Sequence, residues 1–428
     1  MRSGVTAIAG NSTAAMPAWR NPAAWTTTVD VVAILVALSL PWSTSLVGIF
    51  AAALVIAMLP FLDLGGFLQS LKRPISAVPI ALCALALIGT LWSDAPWGER
   101  LYAVGPTAKL LVLPILLYHF QRSERGLWVL VAFLVSCTLL TAMSWIVLYH
   151  PELSLRKIDA EHGIFVNNYI DQSQEFTLCA MALAYPIVML LRAKRIWLAL
   201  SLCAIGLSFI VNMAFTIVSR TALVTMPIML AVFGLLHLRW RTNLMIFAAA
   251  IVVAIAAWVA SPQLEWTVKT FSRDYQLYKE QGIPTSIGER LEYWQKALRF
   301  FSEAPLIGHG TGSTKGLFTQ AASGPTWVAG VKVVPNPHNQ TLNVAVQWGV
   351  IGIAILHAMW LVHLLLFRGD GLANWIGLLV VVQNVFTSLF NSHIFDFHEG
   401  WMYVLGVGVA GGMVLKARAA EGEAASNP

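Results

Sequence analysis

Residues 127–149 read LWVLVAFLVSCTLLTAMSWIVLY, twenty-three residues without an acid or a base, with Arg122 and Arg125 just before them and His150-Pro151 after them. An α-helix crosses the hydrocarbon layer with roughly 20 apolar residues, so this stretch alone predicts a membrane-spanning helix. Eleven more apolar runs lie near 29–41, 43–60, 75–92, 105–120, 175–191, 194–212, 220–238, 243–260, 341–367, 373–390 and 400–415. The first two are separated at Pro41-Trp42-Ser43-Thr44, read as a tight turn. Across its 428 residues the chain is 57% apolar and 11% charged, with a mean hydropathy of +0.70. Soluble domains are about 45–50% apolar and about 25% charged. A soluble enzyme, a disordered chain and a disulfide scaffold are therefore excluded. The predicted fold class is an all-α polytopic integral membrane protein with about 12 transmembrane helices. Cys83, Cys137, Cys179 and Cys203 all sit inside apolar runs, where cysteine acts as a small hydrophobe.

Charge placement predicts sidedness. With connections alternating from an inner N-terminus, the inner segments carry Arg2, Arg20, Lys72, Arg73, Arg122, Arg125, Arg192, Lys194, Arg195, Arg239, Arg241, Arg368, Lys416 and Arg418. The short outer segments carry only Arg100, Lys109 and Arg220. This asymmetry fits twelve spans with both termini cytoplasmic. The partition that follows is a cytoplasmic tail at 1–28, spans over 29–260, a large outer loop at 261–340 with two helices, spans over 341–415, and a second tail at 416–428. A shorter outer connection covers about 150–174. The small, polar residues 1–28 lack the apolar core of a cleaved signal peptide.

The spans carry almost no charge, and no Asp or Glu is expected at mid-bilayer, which weakens a transporter reading. Polar function is expected at the outer face. In the outer loop, Phe271, Tyr275 and Tyr278 share one helical face, with Lys269, Arg273 and Lys279 nearby. This pattern suits an interfacial helix; packing on the rest of the loop is the alternative. Ser286-Ile287-Gly288-Glu289 has the capping-box pattern and starts a second helix that must stop before Pro305. Leu291, Trp294, Leu298 and Phe301 form its apolar face, and Glu292 and Lys296 an i,i+4 pair. Arg290 has no acidic neighbour at i+3 or i+4 and suits a phosphate contact, with cation–π packing on Trp294 as the alternative. Gly308 and Gly310 permit a tight turn or a close approach.

Pro335-Asn336-Pro337-His338-Asn339 leads into the span near 341. A helix N-terminus disfavours imidazolium and favours anions. His338 is thus a candidate neutral base beside a phosphate site, or else a capping histidine. Arg220 interrupts an apolar stretch at the outer side, either to meet an anion or to snorkel. His393, Asp396, His398 and Glu399 crowd the last outer turn, without a familiar metal-ligand spacing. They read as a polar hairpin tip or as part of an active-site rim. Asn167, Asn168, Asp171 and Glu175 could contact sugar. No Walker A or Rossmann fingerprint is present, so no cofactor, metal or nucleic-acid partner is expected.

Three of these pieces, taken in order, resemble the O-antigen ligase/polymerase superfamily. Ser219-Arg220-Thr221 resembles the family's span-end arginine. Arg290, Trp294, Ala297, Pro305, Gly308 and Gly310 resemble its R-x3-W-x2-A…P-x2-G-x-G stretch. His338-Asn339, Leu342, Gly349 and Gly352 resemble its H-N-x3-L…G-x2-G stretch. Within the superfamily, the span count and the two-helix loop look most like the lipopolysaccharide O-antigen ligases. The resemblance implies an inverting, metal-independent glycosyltransferase of the bacterial inner membrane with its site on the periplasmic side. It implies an undecaprenyl-diphosphate-linked glycan as donor and lipid A-core as acceptor. His338 would be the base, and Arg220 and Arg290 would hold the diphosphate. Asn339, Trp294, Arg273, Lys269, Asp396 and Asn168 are the further candidates for substrate contact. An O-antigen polymerase is the nearest alternative, and a flippase or exporter of lipid-linked glycans the alternative of another class.

Overall fold

The computed structural model describes residues 22–158, 160–216, 219–322 and 333–426. Most of the expected N-terminal tail, with Arg2 and Arg20, and residues 323–332 of the outer loop lie outside the described residues. All regular structure within them is helical: α1 (Pro22–Ser39), α2 (Thr44–Met58), α3 (Leu64–Leu71), α4 (Pro74–Ile88), α5 (Trp97–Ala108), α6 (Val112–Phe120), α7 (Gly126–Tyr149), α8 (Tyr169–Ala182) and α9 (Ala184–Arg192). There follow α10 (Ile196–Phe215), α11 (Arg220–His237), α12 (Trp240–Ala260), α13 (Pro262–Gln281), α14 (Ser286–Glu303), α15 (Ser313–Gln320), α16 (Gln340–Leu366), α17 (Leu372–Thr387) and α18 (Phe397–Ser426). Nine helical stretches among the described residues are long and apolar enough to cross a membrane, and α1, α2 and α17 are shorter apolar helices. The protein is an all-α polytopic membrane protein.

Several boundaries differ from the sequence expectation. α1 starts at Pro22, inside the expected tail, and α18 continues to Ser426, beyond the expected end at 415. Among the described residues, the expected outer loop holds three helices rather than two, α15 being the addition. α8 begins at Tyr169, not near 175, because Asn168 caps it, its Oδ1 accepting from the backbone N–H groups of Ile170 and Asp171. That shift draws Asp171 and Glu175 out of the expected connection and into the helix, where both are buried. Both acids lie in the first two turns of α8, at one end of the Tyr169–Arg192 span and not at its middle. His398 lies 3.7 Å from the Asp171 carboxylate and 3.5 Å from that of Glu175. Buried charges persist when paired, and this pairing ties α8 to α18. Lys109, expected on a short outer connection, is buried between α5 and α6 and donates to the carbonyls of Phe395 and Asp396.

The bundle has two chemically distinct ends. At one, arginines serve helix C-termini: Arg418 Nη2 donates to the carbonyls of Leu366 (2.7 Å) and Arg368 (2.9 Å), and Arg192 to that of His237 (3.0 Å). Asp30, buried in α1, accepts from Ser123 at 2.6 Å and contacts His119 at 2.7 Å, joining α1 to the α6–α7 turn. At the other end, the starts of α8 and α11 meet α13 and α14 around one cavity, and α14 packs on α16.

α14 reaches the bundle through residues 305–311, which dock on α16 where that helix unwinds. The N–H of Val350 donates to Pro305 O at 2.8 Å, that of His309 to Val346 O at 2.9 Å, and that of Gly310 to Gln347 O at 2.8 Å. Gly349 has φ +59°, and a Cβ there would sit 2.5 Å from the Leu306 carbonyl. Gly308 has φ +64°, and a Cβ would sit 2.4 Å from the Gln347 backbone. The close approach expected of Gly308 is thus to α16. Gly349→Ala is expected to cost about 2 kcal/mol through forced backbone strain, lowering the melting temperature in detergent. Gly316→Ala on the same loop, where a Cβ meets open space, is the control expected to melt as the wild type does.

Candidate active site

A cavity of about 620 Å³ opens between α11, α13 and α14, with the start of α8 at its edge. Its wall includes Arg220, Arg290, Trp294, His162, Tyr169 and Phe271. Local sequence places each element. Ser219 caps α11 by accepting from Ala222 N–H, which makes Arg220 the first helical residue. Ser261 caps α13 in the same way, with Pro262 at the first helical position. Gly282 ends α13, and Thr285 caps α14, accepting from Gly288 N–H. The cap is therefore one residue earlier than the expected Ser286, whose hydroxyl instead accepts from Arg290 Nη1 at 2.7 Å. Glu292 accepts from Tyr278 Oη at 2.5 Å and so joins the two helices. Burial, then the Glu292 carboxylate, pushes the Tyr278 pKa up to about 12.

The buried face of α14 is Tyr293, Ala297 and Phe300, not the expected Leu291, Trp294, Leu298 and Phe301. Leu291 and Trp294 face the cavity, and Leu298 is exposed. The tighter face packs inward because it carries the small Ala297, while the other face is left for the cavity and its surroundings.

The two arginines are held differently. Arg220 Nη2 lies 2.7 Å from Asp274 Oδ2 and donates to Thr270 Oγ1 at 2.8 Å, with its guanidinium 5.1 Å from the Phe271 ring centroid. Asp274 is an internal counter-ion that the sequence reading did not find. Arg290 donates to the Ser286 carbonyl and hydroxyl. Burial pushes its pKa below the usual arginine value, and the Arg220 charge adds to the effect. Arg290 nonetheless stays charged near neutrality. Arg220 Nη1, Arg290 Nε, Trp294 Nε1 and His162 Nδ1 are buried without a hydrogen-bond partner among the described residues. Each such atom costs about 1–3 kcal/mol, more on a charged group. An acceptor-rich anion seated among them offsets that cost, so the cavity suits a phosphate or diphosphate.

His338 stands beside this cavity rather than in its wall. Its backbone is left-handed, with φ +53°, held by its own N–H donating to Asn336 Oδ1 at 2.9 Å. Its ring centroid lies 5.9 Å from that of Tyr293, three residues along α14 from Arg290. Its Nδ1 is 2.8 Å from Asn391 Oδ1, and Asn391 Nδ2 donates to Asp396 Oδ2 at 2.6 Å. Asn343 and Gln340 at the start of α16 bond to Ser392 and to the Ile394 N–H, fixing the 388–396 turn against His338.

The remaining candidates separate clearly. Asn339 caps α16: it accepts from Leu342 N–H and donates to Leu389 O, so it works inside the protein. Asn168 is spent on the α8 cap and on Asp171. Lys269 pairs with Glu265, and Arg273 lies over Trp266 at 5.8 Å; neither lines the cavity. The Asp396 carboxylate faces Asn391. The expected polar hairpin tip is instead a packed interior: His393, His398 and Glu399 are buried. Among the described residues no group of three or more His, Cys, Asp or Glu is placed to hold a metal ion.

Residues 205–357 match the family model described as O-antigen ligase. This supports membership of the O-antigen ligase superfamily. The matched segment carries Arg220, Arg290, Trp294 and His338, while the Asn391–Asp396 turn lies outside it. Curated proteins provide no match to the chain.

His393 gives a pH test of this geometry. Burial pushes its pKa down to about 4, and the positive charge of Arg290 works in the same direction, against Asp396. An unfolded histidine takes a proton near pH 6.5, so between pH 6.5 and 4 the unfolded state binds more protons and stability falls as pH falls. At pH 5 the loss is about 2 kcal/mol. The melting temperature of His393→Gln minus that of the wild type is expected to increase as pH is lowered from 7 to 5. A difference that stays constant contradicts the buried, neutral assignment.

Proposed function

We propose that this member of the superfamily is an O-antigen ligase. It transfers glycan from undecaprenyl diphosphate to a sugar hydroxyl of lipid A-core, at the periplasmic face of the bacterial inner membrane. The observation that carries the reading is the pairing of a two-arginine cavity with a histidine whose Nδ1 is tied to an amide oxygen. The short connections at the bundle end bearing the cavity carry few basic residues, Arg100 and Lys109 beside Arg220, which is what the positive-inside rule, counted over short loops, expects of an end outside the cytoplasm.

In this reading the donor diphosphate lies against Arg220 and Arg290, with the polyprenyl chain leaving toward lipid. The acceptor hydroxyl loses its proton to His338 Nε2 as its oxygen attacks the anomeric carbon. The bond from that carbon to the diphosphate oxygen breaks, and its electron pair stays on the diphosphate, where the arginines stabilise the charge. Attack opposite the leaving group inverts the anomeric configuration. Both substrates are lipid-anchored, so a site at the membrane edge raises their encounter.

The test is transfer by purified protein supplied with a polyprenyl-diphosphate glycan and lipid A-core, with EDTA present. A heavier lipid A-core product is expected. His338→Ala is expected to lower the rate about 10²–10⁴-fold, and Arg220→Ala or Arg290→Ala about 10²–10³-fold, with melting temperatures maintained. Lengthened donor glycan with unmodified lipid A-core would make the protein a polymerase. Unaltered donor that has crossed the bilayer would make it a flippase.

A further inference from the structure

We propose that Asn391 is a positioning residue: its side-chain amide, anchored by Asp396, holds the His338 ring in the tautomer with the proton on Nδ1 and the lone pair on Nε2. This rests on the reading of His338 as the base. An amide oxygen only accepts and an amide nitrogen only donates, so the orientation of Asn391 decides which His338 nitrogen bears hydrogen. That orientation is fixed from the far side. An ionised carboxylate accepts only, so at 2.6 Å from Asp396 Oδ2 the group facing it is Nδ2. Oδ1 then faces His338 Nδ1 at 2.8 Å. Asn336 reports the same polarity independently. Its Oδ1 accepts from His338 N–H and from Ser392 Oγ, leaving its Nδ2 to point at Asn391 Oδ1, 3.5 Å away. Two donors thus converge on one amide oxygen.

The amide moves no proton. When Nε2 takes the acceptor's proton, the imidazolium keeps its Nδ1–H on Asn391, and the Asp396 charge behind the amide stabilises it. Protonating Asp396 reduces the constraint to the long 3.5 Å contact from Asn336, because a carboxylic acid can donate to an amide oxygen. Asn391 is then free to rotate, and His338 to carry its proton on Nε2, where it cannot act as a base. The groups facing Asp396 include Glu399 and His398 of α18, His393 of the turn, Lys109 between α5 and α6, and Asp171 of α8. Burial, then the Glu399 charge, pushes the Asp396 carboxyl up to about 6. Transfer should therefore lose its competent tautomer on the acid side of that value.

The test uses full-length protein in nanodiscs. Asp396→Asn is expected to lower kcat about tenfold at pH 8 with KM unchanged, the scale of a partly misprotonated base. Asn391→Asp alone sets two carboxylates together and is expected to be impaired. The double variant N391D/D396N moves the carboxylate onto His338 and the amide behind it, and is expected to recover most of the wild-type kcat. Nitrogen-15 NMR of labelled histidine is expected to show His338 as Nδ1–H in the wild type and in the double variant, with Nε2–H appearing in Asp396→Asn. A double variant as impaired as the singles, or a His338 that stays Nδ1–H in Asp396→Asn, overturns the proposal. Normal transfer by His338→Ala overturns instead the base reading, while the tautomer measurement still judges the positioning claim on its own.

Discussion

The docking of residues 305–311 on the unwound turn of α16 is the contact on which the site depends. Three backbone hydrogen bonds join the segment to Val346, Gln347 and Val350, and Gly308 and Gly349 permit an approach that any Cβ would block. A loop that leaves the bundle after α12 and returns at α16 needs such a fixed point, because closing a long loop costs entropy that scattered contacts do not recover. With the end of α14 fixed there, Tyr293 lies beside His338 and Arg290 faces Arg220 across the cavity. The site is thus assembled between a loop helix and the bundle.

Electrostatics explain why that assembly suits an anion. Arg220 has Asp274 as a counter-ion at 2.7 Å, whereas Arg290 donates to the carbonyl and hydroxyl of Ser286 and has the Glu289 charge nearby. Buried side-chain nitrogens on four cavity residues lack partners among the described residues. The acids nearby are engaged elsewhere: Asp171 and Glu175 with His398, and Asp396 with Asn391. Asp274 and Glu289 apart, the fold keeps these carboxylates behind the histidine and its guanidiniums in front, the separation that the proposed proton abstraction and diphosphate departure require.

Much of this was legible in the sequence. Charge-free runs such as 127–149 fixed the helices, because a span must bury its backbone in hydrogen bonds and its surface in lipid. Arg220, Arg290 and His338 stood out because each was a polar group where its neighbours gave it no local partner. What the sequence concealed depends on contacts far apart in the chain. Asp274 meets Arg220 across fifty-four positions, and Asn391 meets His338 across fifty-three; neither has a motif. The capping role of Asn168 was a missed local signal, and missing it put Asp171 and Glu175 in a loop. His398 and Glu399 looked solvated because a string of polar residues between two spans reads the same whether it faces water or packs inward. Asn339 and Lys269 were read as substrate contacts, and the structure spends one on a helix cap and the other on Glu265.

The central claim is that the two-arginine cavity holds a lipid-linked diphosphate. Equilibrium binding of undecaprenyl diphosphate to the protein in nanodiscs tests it most directly. The account predicts that Arg220→Gln and Arg290→Gln each weaken binding about tenfold or more, the worth of a lost charge-assisted contact. It predicts that Arg299→Gln, an equal charge change at an exposed position of α14 paired with Glu303, binds as the wild type does. Equal affinity for all four proteins would contradict it.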